Sequence, residues 1–170
     1  MTEKNIWCAP MAARQTLGGA APSPQRLLVV DDNEDIRRLN LLVLSGAGYE
    51  VNSAEDGVAA WEALQAGSYD LVITDNNMPN MTGLELLKKI RNSKLALPII
   101  MASGTLPTET FAQNPLLQPT ATLLKPHTLE ALLDTVRSVL HASQAVRPPV
   151  VPRPHWPWQA SAIPVLPHGF

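Results

Sequence analysis

The 170-residue chain holds a single cysteine, Cys8, so it can form no internal disulfide and offers no thiolate set for zinc. It lacks any apolar run near the ~20 residues that a membrane span requires. Its first residues, MTEKNIWCAPMAARQ, lack the apolar stretch of a signal peptide. A cytoplasmic location is the expectation. A marked excess of positive charge is missing too. The formal net charge of −2 argues against nucleic acid or an anionic membrane surface as the main partner. No internal repeat is visible. Gly46-Ala47-Gly48 follows a helical pattern rather than a strand, so it is not a dinucleotide-binding turn.

What is present is unevenly spread. Residues 26–143 carry 14 acids and 9 bases, whereas the two flanks together carry 1 acid and 4 bases. Residues 1–25 mix Gly, Ala, Pro and Ser without periodicity and read as a disordered N-terminal arm. Residues 144–170 hold 7 of the 16 prolines together with Trp156 and Trp158. Such a segment lacks backbone donors for helix or sheet and favours extended conformations. It reads either as a disordered tail or as a docking peptide.

Between these flanks, strand and helix patterns alternate five times. Short apolar runs begin at Arg26 (RLLVV), Tyr49, Asp70 (DLVIT), Leu97 (LPIIMA) and Ala121. The first of them is continuous, as in a strand covered on both faces. Helical stripes lie between, with Ile36, Leu39, Leu42 and Val43 on the first helix and Leu84, Leu87 and Ile90 on the third. Leu129, Leu132, Leu133, Val136 and Leu140 line the last. Glu85 and Lys89 have the spacing of a favourable ion pair. Strictly alternating elements predict an α/β, doubly wound, five-stranded parallel sheet with helices on both faces, because parallel neighbours need crossover connections. The connection GTLPTETFAQNPLLQPT holds three prolines, so helix 4 is expected to be short or degenerate, over about 107–113.

In an open parallel sheet, sites form beyond the carboxyl ends of the strands. There the first strand delivers Asp31-Asp32, the third Asp75, the fourth Ser103-Gly104 and the fifth Lys125-Pro126. Paired acids at one strand end are also an ordinary helix-capping signal. Three carboxylates at one sheet edge, however, repel by about 1–4 kcal/mol per pair at ~4 Å. A hard cation with all-oxygen ligands, Mg²⁺, relieves that.

The succession LLVVDDNED, LVITDNNMPNMTG, PIIMASGT and LLKP resembles the receiver domain of two-component response regulators, over about residues 26–143. The resemblance implies a flavodoxin-like sheet in the order 2-1-3-4-5. It implies that Asp75 is the phosphoacceptor, taking a phosphoryl group from a phosphohistidine on a sensor histidine kinase or a histidine phosphotransfer protein. By the same resemblance, Asp32 and Asp75 are direct Mg²⁺ ligands, Asp31 acts through a water, and the backbone carbonyl of Asn77 completes the metal set. Ser103 takes the switch-hydroxyl position and Lys125 pairs with the phosphoryl group. Asn77 and Thr105 flank the site where phosphoryl lifetime is tuned, Gly83 opens the next helix, and the Lys125–Pro126 bond is often cis.

The sequence departs from the family pattern at Thr122, where a switch aromatic is usual, and at His127, where Phe is frequent. With the interrupted fourth helix, these departures fall on the output face, so an unknown output protein meets an altered surface. Three readings follow. The chain is a stand-alone receiver that catalyses only its own phosphorylation and dephosphorylation. Or it is a phosphorylation-independent binding module that uses its Pro/Trp-rich tail. Or it is an aspartate-nucleophile phosphatase, which Asn77 disfavours, because that position then needs a second acid. His127 and His141 have no third ligand at metal spacing.

Overall fold

The computed structural model describes residues 23–146. The expected arm up to residue 22 and the tail from residue 147 lie outside the described residues. The chain runs β1 (Arg26–Val30), α1 (Glu34–Gly46), β2 (Glu50–Ala54), α2 (Gly57–Ala66), β3 (Leu71–Thr74) and α3 (Gly83–Asn92). It continues through β4 (Ile99–Ser103), α4 (Thr108–Gln113), a 3-10 turn (Pro115–Leu117), β5 (Ala121–Leu124) and α5 (Leu129–Val146). All strand pairs are parallel and the order is β2-β1-β3-β4-β5, as expected. The last helix runs past residue 143, the expected end of the domain, to Val146.

Side chains alternate across the sheet. Leu28, Val30, Val72, Ile99 and Met101 face one way and pack with Leu86, Leu87 and Ile90 of α3, Ala60 of α2 and Phe111 of α4. Leu27, Val29, Leu71, Ile73 and Ile100 face the other way, against Leu44 of α1 and Leu132, Val136 and Leu140 of α5. Two cores thus sandwich β1, β3 and β4, which is why those strands read as unbroken apolar runs. The edge strands β2 and β5 are only partly covered, and their sequences are correspondingly less apolar.

Helix ends follow from local side chains. Asn33 accepts from the N–H groups of Asp35 and Ile36 to start α1, and Asp56 accepts from those of Val58 and Ala59 to start α2. Thr82 and Glu85 cap each other at α3. That cap changes the expected Glu85–Lys89 pairing: the Glu85 carboxylate is committed to Thr82, and the Lys89 ammonium lies 4.9 Å from the centre of the Trp61 ring.

The α1 stripe also differs from expectation. Leu39 is 47% exposed and Leu42 73%, while Asn40 and Leu44 are buried. The row facing the sheet is Ile36, Asn40 and Leu44, one helical turn apart. A polar residue in that row hid its phase. On α5, Leu132, Val136, Val139 and Leu140 are buried, but Leu129 at the start of the helix is exposed. Helix α4 has six residues, as the prolines led us to expect.

Candidate functional site

At the carboxyl edge of the sheet, β1 and β3 are neighbours, and their register pairs Val30 with Thr74. The next residue on each strand, Asp31 and Asp75, therefore leaves the sheet side by side. The Asp75 N–H donates to the carbonyl of Val30 at 2.9 Å and fixes this exit. Carboxylate oxygens of Asp31, Asp32 and Asp75 all lie within 4.8 Å of one another. Asp31 is buried, Asp75 partly buried and Asp32 exposed.

Lys125 arrives from β5. Its Nζ donates to Oδ2 of Asp31 and to Oδ2 of Asp75, each at 2.6 Å. One ammonium thus pairs with two of the three carboxylates, which leaves the cluster net negative. An all-oxygen, under-neutralised cluster fits a hard divalent cation. Oδ1 of Asp75 accepts from the N–H groups of Asn76 and Asn77. Ser103, at the end of β4, is fully buried, and its hydroxyl accepts from the Thr105 N–H at 3.4 Å. The Lys125–Pro126 bond is cis. Thr122 lies exposed on β5, and the Nε2 atom of His127 is buried without a hydrogen-bond partner.

Residues that the sequence reading passed over hold this arrangement in place. Nη1 of Arg37 donates to the carbonyls of Asp31 and Asp32 at 2.7 and 3.0 Å, clamping the acidic turn from α1. Oδ1 of Asn76 accepts from the Leu84 N–H, and its backbone carbonyl accepts from that of Gly83, tying the Asp75 loop to the start of α3. Asn80, at φ 60, donates through its amide to Asp56. A Cβ on Gly83 would stand 2.1 Å from the Asp75 carbonyl oxygen, so only glycine permits this approach. Gly83 is the exception, since the resemblance already placed it at the opening of this helix; Arg37 had no signal, because it acts on backbone that carries no sequence label.

Burial pushes the Asp75 carboxyl up, but hydrogen bonds from Lys125 and Asn77, the charge of Lys125 and the Ser103 hydroxyl outweigh it and hold the carboxyl below its ordinary 3.8. Burial likewise pushes Lys125 down, and its contacts with Asp31 and Asp75 raise it above 10.5. Linkage gives the sign. The Asp75 contribution to stability is complete above pH 3.8 and is lost as pH falls through the depressed folded value. The Lys125 contribution is complete below pH 10.5 and is lost as pH rises through the raised one. The contribution of this pair to the urea midpoint of the metal-free protein is therefore expected to hold level between these limits and to fall outside them. Replacing Lys125 by Met flattens both flanks; if the flanks stay unchanged, other groups govern the pH response.

The family described as response regulator receiver domain matches residues 27–137. The chemotaxis protein CheY1 of Helicobacter pylori (strain J99) is 51% identical over 80 residues, which are 45% of this chain and 64% of that protein. The chain thus spans less than two thirds of this relative. The chemotaxis response regulator CheY4 of Vibrio cholerae superposes with a TM-score of 0.63 at 35% identity, covering 69% of this chain and 99% of that one. The response regulator TrrA of Thermotoga maritima, solved in complex with Mg²⁺-BeF, gives a TM-score of 0.60 at 32% identity, covering 68% and 98%. Among the described residues, no helix is long and apolar enough to cross a membrane.

Proposed function

The chain belongs to the response regulator receiver domain family, and from that premise we propose that residues 26–143 form a phosphoacceptor unit whose acceptor is Asp75. The observation that carries this is the Lys125 ammonium held 2.6 Å from Oδ2 of Asp75, which itself belongs to a cluster of three carboxylates. A carboxylate oxygen of Asp75 attacks the phosphorus of a phosphohistidine. The new O–P bond forms as the P–N bond breaks, and its electron pair returns to the donor imidazole. Phosphoryl transfer asks mainly for in-line positioning and for positive charge on the equatorial oxygens. Lys125 supplies charge on one side, and the Ser103 hydroxyl stands ready as a donor on another. The Asn76 and Asn77 N–H groups fix the carboxylate so that attack costs little reorganisation.

Receiver domains bind Mg²⁺ at an acidic pocket, and the neighbour from Thermotoga maritima was solved with Mg²⁺-BeF. Here Asp31, Asp32 and Asp75, with the backbone carbonyl of Asn77, are the residues that would hold the ion. When bound, it supplies charge neutralisation for the incoming phosphoryl oxygens. The donor in this reading is a sensor histidine kinase or a histidine phosphotransfer protein, and the output is a protein that reads the surface around α4, β5 and α5.

Incubation of the full chain with Mg²⁺ and acetyl phosphate is expected to add one phosphoryl group by intact mass, and EDTA is expected to abolish the adduct. A second reading draws on the exposed Thr122 and the six-residue α4, which leave no switch aromatic on β5. It makes the chain a binding module that needs no phosphoryl group. An unlabelled chain, beside a control receiver that labels, overturns the first reading in favour of the second.

A further inference from the structure

The end of the sheet opposite Asp75 carries a groove of about 860 Å³, walled by Leu95, Leu97, Pro98 and Leu140. This volume lies in the range of ligand-binding clefts, about 300–1,000 Å³. Its walls mix these aliphatic side chains with Gln25, Thr120 and Ser143, and Leu95 is 42% exposed. At one side stands Arg91, whose Nη1 donates to the Leu97 carbonyl at 2.9 Å, which fixes the guanidinium plane. At another stands the Asp70 carboxylate. None of these groups takes part in the acidic site.

The course of the chain indicates an occupant. Ala142, Ser143 and Gln144 line the groove, as do Ser23 and Gln25 at the other end of the described residues, and α5 ends at Val146. The 24 residues after it are therefore tethered close to the groove. They include Trp156, Trp158 and seven prolines, carry Arg147 and Arg153, and contain no acid. We propose that this groove is a docking site for the chain's own segment 147–170, with Trp156 or Trp158 seated between Leu95, Leu97 and Leu140. Among the described residues the lining includes no aromatic ring, and the segment supplies two. An indole buries about 150–250 Å² and stacks well on a fixed guanidinium. Trp156 lies ten positions beyond Val146, a reach of roughly 31 Å in an extended polyproline form, which is ample for a return onto the adjacent rim. Tethering supplies an effective concentration of order mM, so a contact too weak to capture a free peptide is occupied within the chain. Docking there is separate from phosphoryl acceptance and does not rest on it.

Amide NMR spectra of the full chain, of Trp156→Ala/Trp158→Ala and of Leu95→Glu test this. In the double variant the amides of Leu95, Leu97 and Ser143 are expected to shift, while those of the Asp75 loop stay in place. In Leu95→Glu the indole N–H signals of Trp156 and Trp158 are expected to move, independently of protein concentration. Unshifted groove amides overturn the proposal. So do shifts that appear only with Trp7→Ala, which make the N-terminal arm the occupant, and shifts that vanish on dilution, which make it a second copy of the chain.

Discussion

Replacing Asp75 by Asn is expected to reduce phosphoryl incorporation to background, under conditions where the unaltered chain gains one group. The substitution removes the proposed acceptor carboxylate and places an amide NH2, a donor, where Oδ2 accepted from Lys125, so the ammonium turns to Asp31. An Asn carbonyl in the Oδ1 position still accepts from the Asn76 and Asn77 N–H groups, so the loop keeps its hydrogen bonds. Lys125 keeps Asp31 as a charged partner at 2.6 Å, so no ammonium is stranded. One of three mutually repelling carboxylates is gone, which offsets part of the lost ion pair. Stability is therefore expected to change by no more than about 1 kcal/mol, read from urea unfolding. Intact mass and unfolding together separate chemistry from folding. Incorporation persisting in a folded Asp75→Asn chain would move the acceptor to Asp31 or Asp32. Of these, Asp32 is the more accessible, and a second variant, Asp32→Asn, decides between them.

The residues of that prediction were legible in the sequence because strand ends are. A run such as LVIT can be buried on both faces only in the interior of a parallel sheet, so the acid that follows it must stand at the sheet's carboxyl edge. Strand order and Lys125's place beside Asp75 came with the family pattern, and the parallel registers agree with them. The phase of α1 was not legible. Counting leucines selected Leu39 and Leu42, whereas the buried row runs through Asn40, a polar residue whose burial depends on tertiary surroundings. The fate of Glu85 and Lys89 was hidden for a similar reason. Spacing on a helix offers the pair, but Thr82 and Trp61 compete for the two charges, and Trp61 approaches from α2. Arg37 was invisible because its targets are carbonyls. Sequence patterns therefore exposed groups set at element ends and missed groups whose role depends on packing between elements.

Lys125→Ala is expected to impair the protein twice over. In the metal-free state the ammonium neutralises Asp31 and Asp75 at once, with side chains only 5% and 12% exposed. Removing it leaves these two carboxylates beside Asp32 without their ammonium partner. Loss of one partner from a buried ion pair costs about 3–5 kcal/mol; Lys125 is itself 21% exposed, and water entering in its place screens part of this. A loss of about 2–3 kcal/mol in urea unfolding is the expected result with EDTA present. Added Mg²⁺ is then expected to raise the variant's midpoint by more than it raises that of the unaltered chain. A ligand that binds only the folded state stabilises in proportion to its affinity, and three unneutralised carboxylates favour a divalent cation more than a cluster that already holds an ammonium. Phosphorylation does not recover with stability. The phosphoryl oxygens lose a positioned cation, and removal of one such group slows comparable reactions by about 100–1,000-fold. Rates measured at saturating Mg²⁺, where folding is restored, isolate that loss. Equal labelling rates for Lys125→Ala and the unaltered chain would show that the ammonium serves only to hold the carboxylates together, and that its contact with Oδ2 of Asp75 has no part in transfer.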